Sequence, residues 1–176
     1  MKLGEGGQKV NNMNSEKKGY CIICIGGRGK GKTTFIKKAI KDKPNYIFDV
    51  QNEYSDGFNP AGHFDRKMFL SEADQFINTN IVFEEATGFF KGRTPETLDR
   101  LMLSVRHSRN NLFFVFHSIQ AVPPGIINMV NYIVLFKTAD QQYNVIKSKY
   151  PLLWPYFVDL HKSPDQYKKH IIQTGV

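Results

Sequence analysis

The chain alternates between short runs that are apolar throughout and longer stretches that are apolar on one side only. Tyr20-Cys21-Ile22-Ile23-Cys24-Ile25 is the first continuous run. A run of this length with no polar alternation reads as a strand buried on both faces, the situation of a central strand in a covered parallel sheet. Similar runs recur at 46–50, 80–84, 112–116 and 132–136. Between the first two, Phe35, Ile36, Ala39 and Ile40 share one side of a helical pattern over 33–41, with Lys37, Lys38 and Lys41 on the other. Between the third and fourth runs, Leu98, Leu101, Met102 and Val105 follow i, i+3, i+4, i+7 spacing, a helix with one buried stripe. Thr94-Pro95 opens that helix and Asn110-Asn111 follows its end near Arg109. Strands alternating with helices predict an α/β fold with a mainly parallel central sheet flanked by helices.

The remaining segments carry weaker patterns. Residues 55–69 hold Gly57, Pro60 and Gly62 and read as an irregular loop, after which Ser71 is placed to cap a short helix reaching 77. Pro123-Pro124-Gly125 opens a helical turn, and 141–149 reads as a helix stopped by Pro151. Segments 157–160 and 167–172, around Ser163-Pro164-Asp165, read as the arms of a C-terminal hairpin. Residues 1–18, rich in Gly, Asn and Lys, read as a flexible tail, leaving 19–176 as a single domain.

Composition adds a partner class. The 176 residues are 41% hydrophobic with a net charge of +8 and a pI of about 9.4. That surplus suits DNA or RNA, although a solvated basic surface would give the same count. Cys21 and Cys24 form C-x-x-C, but residues three apart on a strand face opposite ways and no second Cys or His pair follows at zinc spacing. Both read as small core residues of a protein in a reducing, cytoplasmic compartment. No run approaches the roughly 20 apolar residues of a membrane span.

The chemistry begins directly after the first strand. Gly26-Gly27-Arg28-Gly29-Lys30-Gly31-Lys32-Thr33 fits G-x-x-x-x-G-K-[ST], the P-loop, and sits between a strand and a helix as that motif requires. Its glycines let backbone N–H groups and the helix N-terminus approach phosphates. In this arrangement Lys32 reaches the β- and γ-phosphates, the Thr33 hydroxyl ligates Mg2+, and Thr34 completes the nucleotide cradle. The third strand ends in Glu84-Glu85, the place of a Walker B pair. Glu84 is then the metal-side carboxylate, standing where Asp is usual, and Glu85 orients and polarises an attacking water, which points to hydrolysis.

The fourth strand runs into His117-Ser118-Ile119-Gln120. In additional-strand P-loop ATPases a polar residue at this strand end senses the γ-phosphate. His117 or Ser118 holds that position, with Gln120 close behind. Arg93, Arg106 and Arg109 are candidates to reach a neighbouring subunit's nucleotide, Arg106 and Arg109 foremost. Phe89-Phe90-Lys91-Gly92-Arg93 either tracks nucleic-acid phosphates through Lys91 and Arg93 or tucks its aromatics into the core.

These segments together resemble one family. Asp49-Val50-Gln51-Asn52-Glu53-Tyr54 resembles the Asp-x-x-Gly-Glu-Tyr segment of HerA-type ATPases, with Asn52 where Gly is usual. Glu84-Glu85-Ala86 looks like their Walker B, and the stretch from Arg106 to Pro123 like their arginine-to-sensor block. The resemblance to the FtsK–HerA superfamily spans roughly 20–138. Among its members the size is similar to the genome-packaging ATPases of membrane-containing viruses and to the ATPase domain of Zot-like phage assembly proteins. It implies a RecA-like sheet with the P-loop strand beside the sensor strand, ATP and Mg2+ at the interfaces of a hexameric ring, and double-stranded DNA in the pore. The function it implies is an ATP-driven DNA translocase packaging a viral genome, with a capsid or portal protein as partner. A Zot-like extrusion or DNA-transfer motor, a nucleotide-dependent switch and a nucleotide kinase are the rivals.

Overall fold

Strand β1, Cys21–Ile25, is buried at every position, and the sheet is built outward from it. In the computed structural model, which describes residues 18–175 apart from Asp56 and Arg93, β1 lies between β4, Asn111–Phe116, and β5, Tyr132–Phe136, parallel to both. On the far side of β4 come β3, Asn80–Phe83, and then β2, Asn45–Phe48, again parallel. The last strand, β6, Lys169–Gln173, pairs antiparallel with β5 and completes the order β2-β3-β4-β1-β5-β6. β4 therefore separates the P-loop strand from the acidic strand, which is the additional-strand arrangement. The expected tail over 1–18 lies outside the described residues except for Lys18.

The period-two alternation of the strands sends side chains into two cores. Ile22, Cys24, Ile47, Val82, Phe113 and Val134 face one side, where they meet Ile36 from α1, Lys32–Ala39, and Ile40 at its C-terminal cap. Cys21, Ile23, Ile25, Phe83, Leu112 and Phe114 face the other. There they are covered by α2, Arg66–Ala73, α3, Glu96–Ser108, α4, Pro124–Ile127, α5, Tyr143–Lys149, and α6, Trp154–Lys162. The two cysteines thus lie on opposite faces, both free and buried, with burial pushing both thiols well above the usual range.

Two local expectations differ from the structure. The C-terminal hairpin does not form: residues 157–160 lie inside α6, because Leu153, Phe157 and Leu160 recur at helical spacing and enter one core together. The partner expected for them, the segment ending near 172, joins the sheet edge instead, with Val134 opposite Ile171. Helix α2 starts at Arg66 rather than at Ser71. Its cap is Asp65, whose carboxylate accepts from Lys67 N at 2.8 Å and Met68 N at 3.1 Å.

Candidate nucleotide-binding site

The P-loop leaves β1 pinned on both sides. Gly26 N donates to Phe116 O of β4 and Gly27 N to Lys137 O just past β5, each at 3.0 Å. A Cβ on Gly26 would stand 2.6 Å from Phe136 Cβ, so glycine is required there by close approach. Gly29 and Gly31 have φ of 68° and 91°, the left-handed turns that fold the loop back on itself. Gly31 caps α1 with no side-chain hydrogen bond, leaving first-turn N–H groups for an anion.

Lys32 is buried and donates to Gly26 O at 2.7 Å and Gly27 O at 3.0 Å, so its ammonium lies inside the loop's own concavity. Its Nζ is also 3.3 Å from His117 Nδ1, and His117 Nε2 is 2.6 Å from Glu85 Oε1. Lysine, histidine and glutamate thus form one polar row from the P-loop to the end of the acidic strand. With Nδ1 accepting from the ammonium, Nε2 carries the proton given to Glu85. Burial lowers the Lys32 pKa against the raising effect of Glu84 and Glu53.

The acidic residues divide by environment. Glu84 is buried; burial pushes its pKa up to about 7, against the lowering effect of a 2.7 Å hydrogen bond from the Tyr54 hydroxyl. Burial and the Glu84 charge push the Tyr54 hydroxyl itself upward, so it stays a donor. Glu85 is half-buried and adopts φ 54°, a left-handed conformation costly for a non-glycine residue. A second turn brings in a residue to which the sequence assigned no role. Asp49 accepts from Glu53 N at 2.9 Å and Tyr54 N at 2.8 Å, and this turn delivers the Glu53 carboxylate to the Thr33 hydroxyl. Asn52 within it has φ 54°. Asparagine is among the few residues besides glycine that visit this region readily, which accounts for it where the HerA pattern has Gly.

These groups open on a cleft of about 470 Å³, lined by residues 28–34 with Gln51, Glu53, Glu85, His117 and Tyr167. No protein-family model and no curated protein matches the sequence. Among solved structures, the chain resembles the genome packaging NTPase B204 from Sulfolobus turreted icosahedral virus 2 in complex with ATP-gammaS. The TM-score is 0.69 at 15% identity, over 89% of this chain and 93% of that one. B204, the DNA-packaging ATPase from Sulfolobus turreted icosahedral virus, aligns with a TM-score of 0.67 at 14% identity, over 90% and 99%. This chain has a P-loop NTPase fold. A weaker likeness, to the N-terminal domain of zonular occludens toxin from Neisseria meningitidis, has a TM-score of 0.47 at 10% identity over 71% and 80%, and decides nothing between packaging and extrusion.

Within the P-loop NTPase fold the sequence candidates fall into groups. Arg28, Gly29, Lys30, Gly31, Lys32, Thr33 and Thr34 line the cleft together with Glu85 and His117, and Glu84 is buried just past the end of β3. Of the two sensor-position residues, His117 enters the cleft, while Ser118 turns away to accept from Ala121 N at 3.1 Å. Gln120 is exposed on a 3-10 turn, Ile119–Ala121, and does not line the cleft. Arg106 and Arg109 sit at the end of α3, beside the start of β4, a strand's length from the P-loop. Phe89 and Phe90 are core residues against Phe83, Phe114 and Phe116, so neither offers a face to a base. Lys91 is exposed beyond them, and Arg93 lies outside the described residues.

Proposed function

We propose that the chain is an ATP-hydrolysing translocase of double-stranded DNA, of FtsK–HerA type, that packages a viral genome as a hexameric ring docked on a capsid or portal protein. The observation carrying the hydrolytic half is the row Lys32–His117–Glu85, which links the phosphate loop through one histidine to a carboxylate at the end of the acidic strand. The likeness in fold to packaging NTPases and the net charge of +8 support the DNA half.

In this reading the phosphates draw Lys32 from the carbonyls of Gly26 and Gly27. His117, losing its Nδ1 partner, turns toward the γ-phosphate, and Glu85 is released to orient water and accept its proton. Magnesium fits the donor set, since that ion takes one or two protein oxygens and leaves the rest to phosphate and water. Thr33 and Glu84 would hold it, with Glu53 already touching Thr33, and it would neutralise charge on the phosphates. Arg106 or Arg109 acts on a neighbouring subunit's nucleotide, Gln120 stands behind His117 as the second residue of the sensor strand end, and Lys91 with Arg93 tracks the DNA backbone.

ATP hydrolysis measured with and without duplex DNA, on wild type and Lys32→Ala, tests this reading. Stimulation by DNA that disappears in the variant is expected. Hydrolysis indifferent to DNA overturns the translocase, and phosphate transfer to a nucleoside would make the chain a kinase.

A further inference from the structure

The phosphate cleft has a neighbour. A second cleft of about 440 Å³ shares Lys30, Gly31, Thr34 and Tyr167 with it and adds Phe35, Lys38, Phe136 and Lys169. Tyr167 is the wall common to both. Its ring rests over the P-loop, since a Cβ on Gly31 would lie 3.7 Å from Tyr167 Cδ1. Yet the side chain is 58% exposed, a large aromatic face left open to solvent at the mouth of an anion site.

The segment presenting this ring is fixed. Asp165 Oδ1 accepts from Tyr167 N at 2.8 Å, Asp159 accepts from Lys168 Nζ at 2.8 Å and His170 Nε2 at 2.6 Å, and Lys137 Nζ donates to Ser163 O at 3.3 Å. Lys137 is also the residue whose carbonyl holds Gly27, so platform and P-loop share an anchor.

We infer that Tyr167 is the base platform of this site: the nucleoside leaves the phosphate cleft over Gly31 and Thr34 and stacks its purine on the Tyr167 ring in the adjoining cleft. This rests on reading the first cleft as a triphosphate site. A triphosphate held on the loop must send its nucleoside outward, and the second cleft is contiguous, aromatic and of a size for a base and ribose. Besides the Tyr167 hydroxyl, the polar side chains lining it are Thr34, whose hydroxyl both donates and accepts, and three lysines. Flexible ammonium groups find N7 or N3 of either purine, and none of these side chains is an amide or carboxylate set to read the exocyclic edge. Stacking tolerates any base and rewards the larger ring. The site therefore takes ATP and GTP alike and pyrimidine nucleotides less well.

Calorimetric titration of wild type, Tyr167→Ala and Tyr167→Phe with ATP, GTP, CTP and inorganic tripolyphosphate tests the assignment. Tyr167→Ala should weaken ATP by roughly tenfold, leave tripolyphosphate unchanged, and be rescued by Tyr167→Phe. Wild type should bind ATP and GTP similarly and CTP more weakly. Undiminished ATP binding by Tyr167→Ala overturns the platform, as does an equal loss of tripolyphosphate, which would make the ring a prop for the loop. A strong choice between the purines overturns the edge-blind cleft. Wild type that binds neither ATP nor tripolyphosphate overturns the triphosphate reading, and the platform with it. Wild type that binds tripolyphosphate while Tyr167→Ala leaves ATP untouched removes the platform alone.

Discussion

Glu84 carries a measurable pH signature. Its folded pKa of about 7 lies above the ordinary 4.5. Between those values the folded chain binds more protons than the unfolded one, so stability falls as pH rises through that window and levels off above it. Glu84→Gln keeps an oxygen for the Tyr54 hydroxyl and removes the ionisation. Thermal melts should show that variant losing the slope and gaining up to about 3 kcal/mol near pH 8. Glu85 separates differently: Glu85→Gln should bind ATP as wild type does while hydrolysis falls about 10² to 10⁴-fold, read by comparing a binding titration with turnover. The P-loop and the acidic pair were legible because their chemistry is written in consecutive residues. The role of Glu53 is not legible, because this residue lies 20 positions beyond Thr33 and reaches it through a turn held by Asp49. Choosing His117 over Ser118 likewise needed the direction of each side chain at the strand end.

Elements with one strong period are legible in the sequence, and those resting on distant partners are not. Strand β5 has the expected bounds, and the stripe of α3 is buried at Leu98, Leu101, Met102 and Val105 as its spacing predicted. Phe89 and Phe90 were ambiguous in sequence, since an aromatic pair beside cations suits both a core and a nucleic-acid surface; the neighbours that decide it lie on β2, β3 and β4. Phe69 on α2 gathers the same cluster, with ring centroids at 4.9 Å to Tyr46, 5.2 Å to Phe48 and 5.3 Å to Phe83. Phe69→Ala should cost about 3–5 kcal/mol in urea unfolding, well above the cost of Asp65→Ala at the exposed cap.

At the scale of the whole molecule, the sheet order places the P-loop, the acidic pair and His117 at the carboxyl ends of three adjacent parallel strands, β1, β3 and β4. It places Arg106 and Arg109 at the opposite end. If those arginines serve a neighbour, Lys32→Ala and Arg109→Ala chains, each inactive alone, should recover ATP hydrolysis when mixed, because some interfaces then pair an intact loop with an intact arginine. Steady-state turnover across mixing ratios checks this, and no recovery at any ratio removes Arg109 from the site. Strand alternation in the sequence predicted the layers of the fold and a strand near its end, but not that strand's partner: 157–160 is helical, and β6 runs antiparallel along β5 instead.

That edge strand also sets where the molecule opens. Among the described residues β5 is the one strand that pairs with β6, and β5 runs straight into Lys137, the residue that holds Gly27. Its amides should therefore exchange with deuterated solvent well before those of β1. A nucleotide bridging the P-loop to the segment before β6 would slow that exchange, so that this edge strand reports whether the cleft beside it is filled.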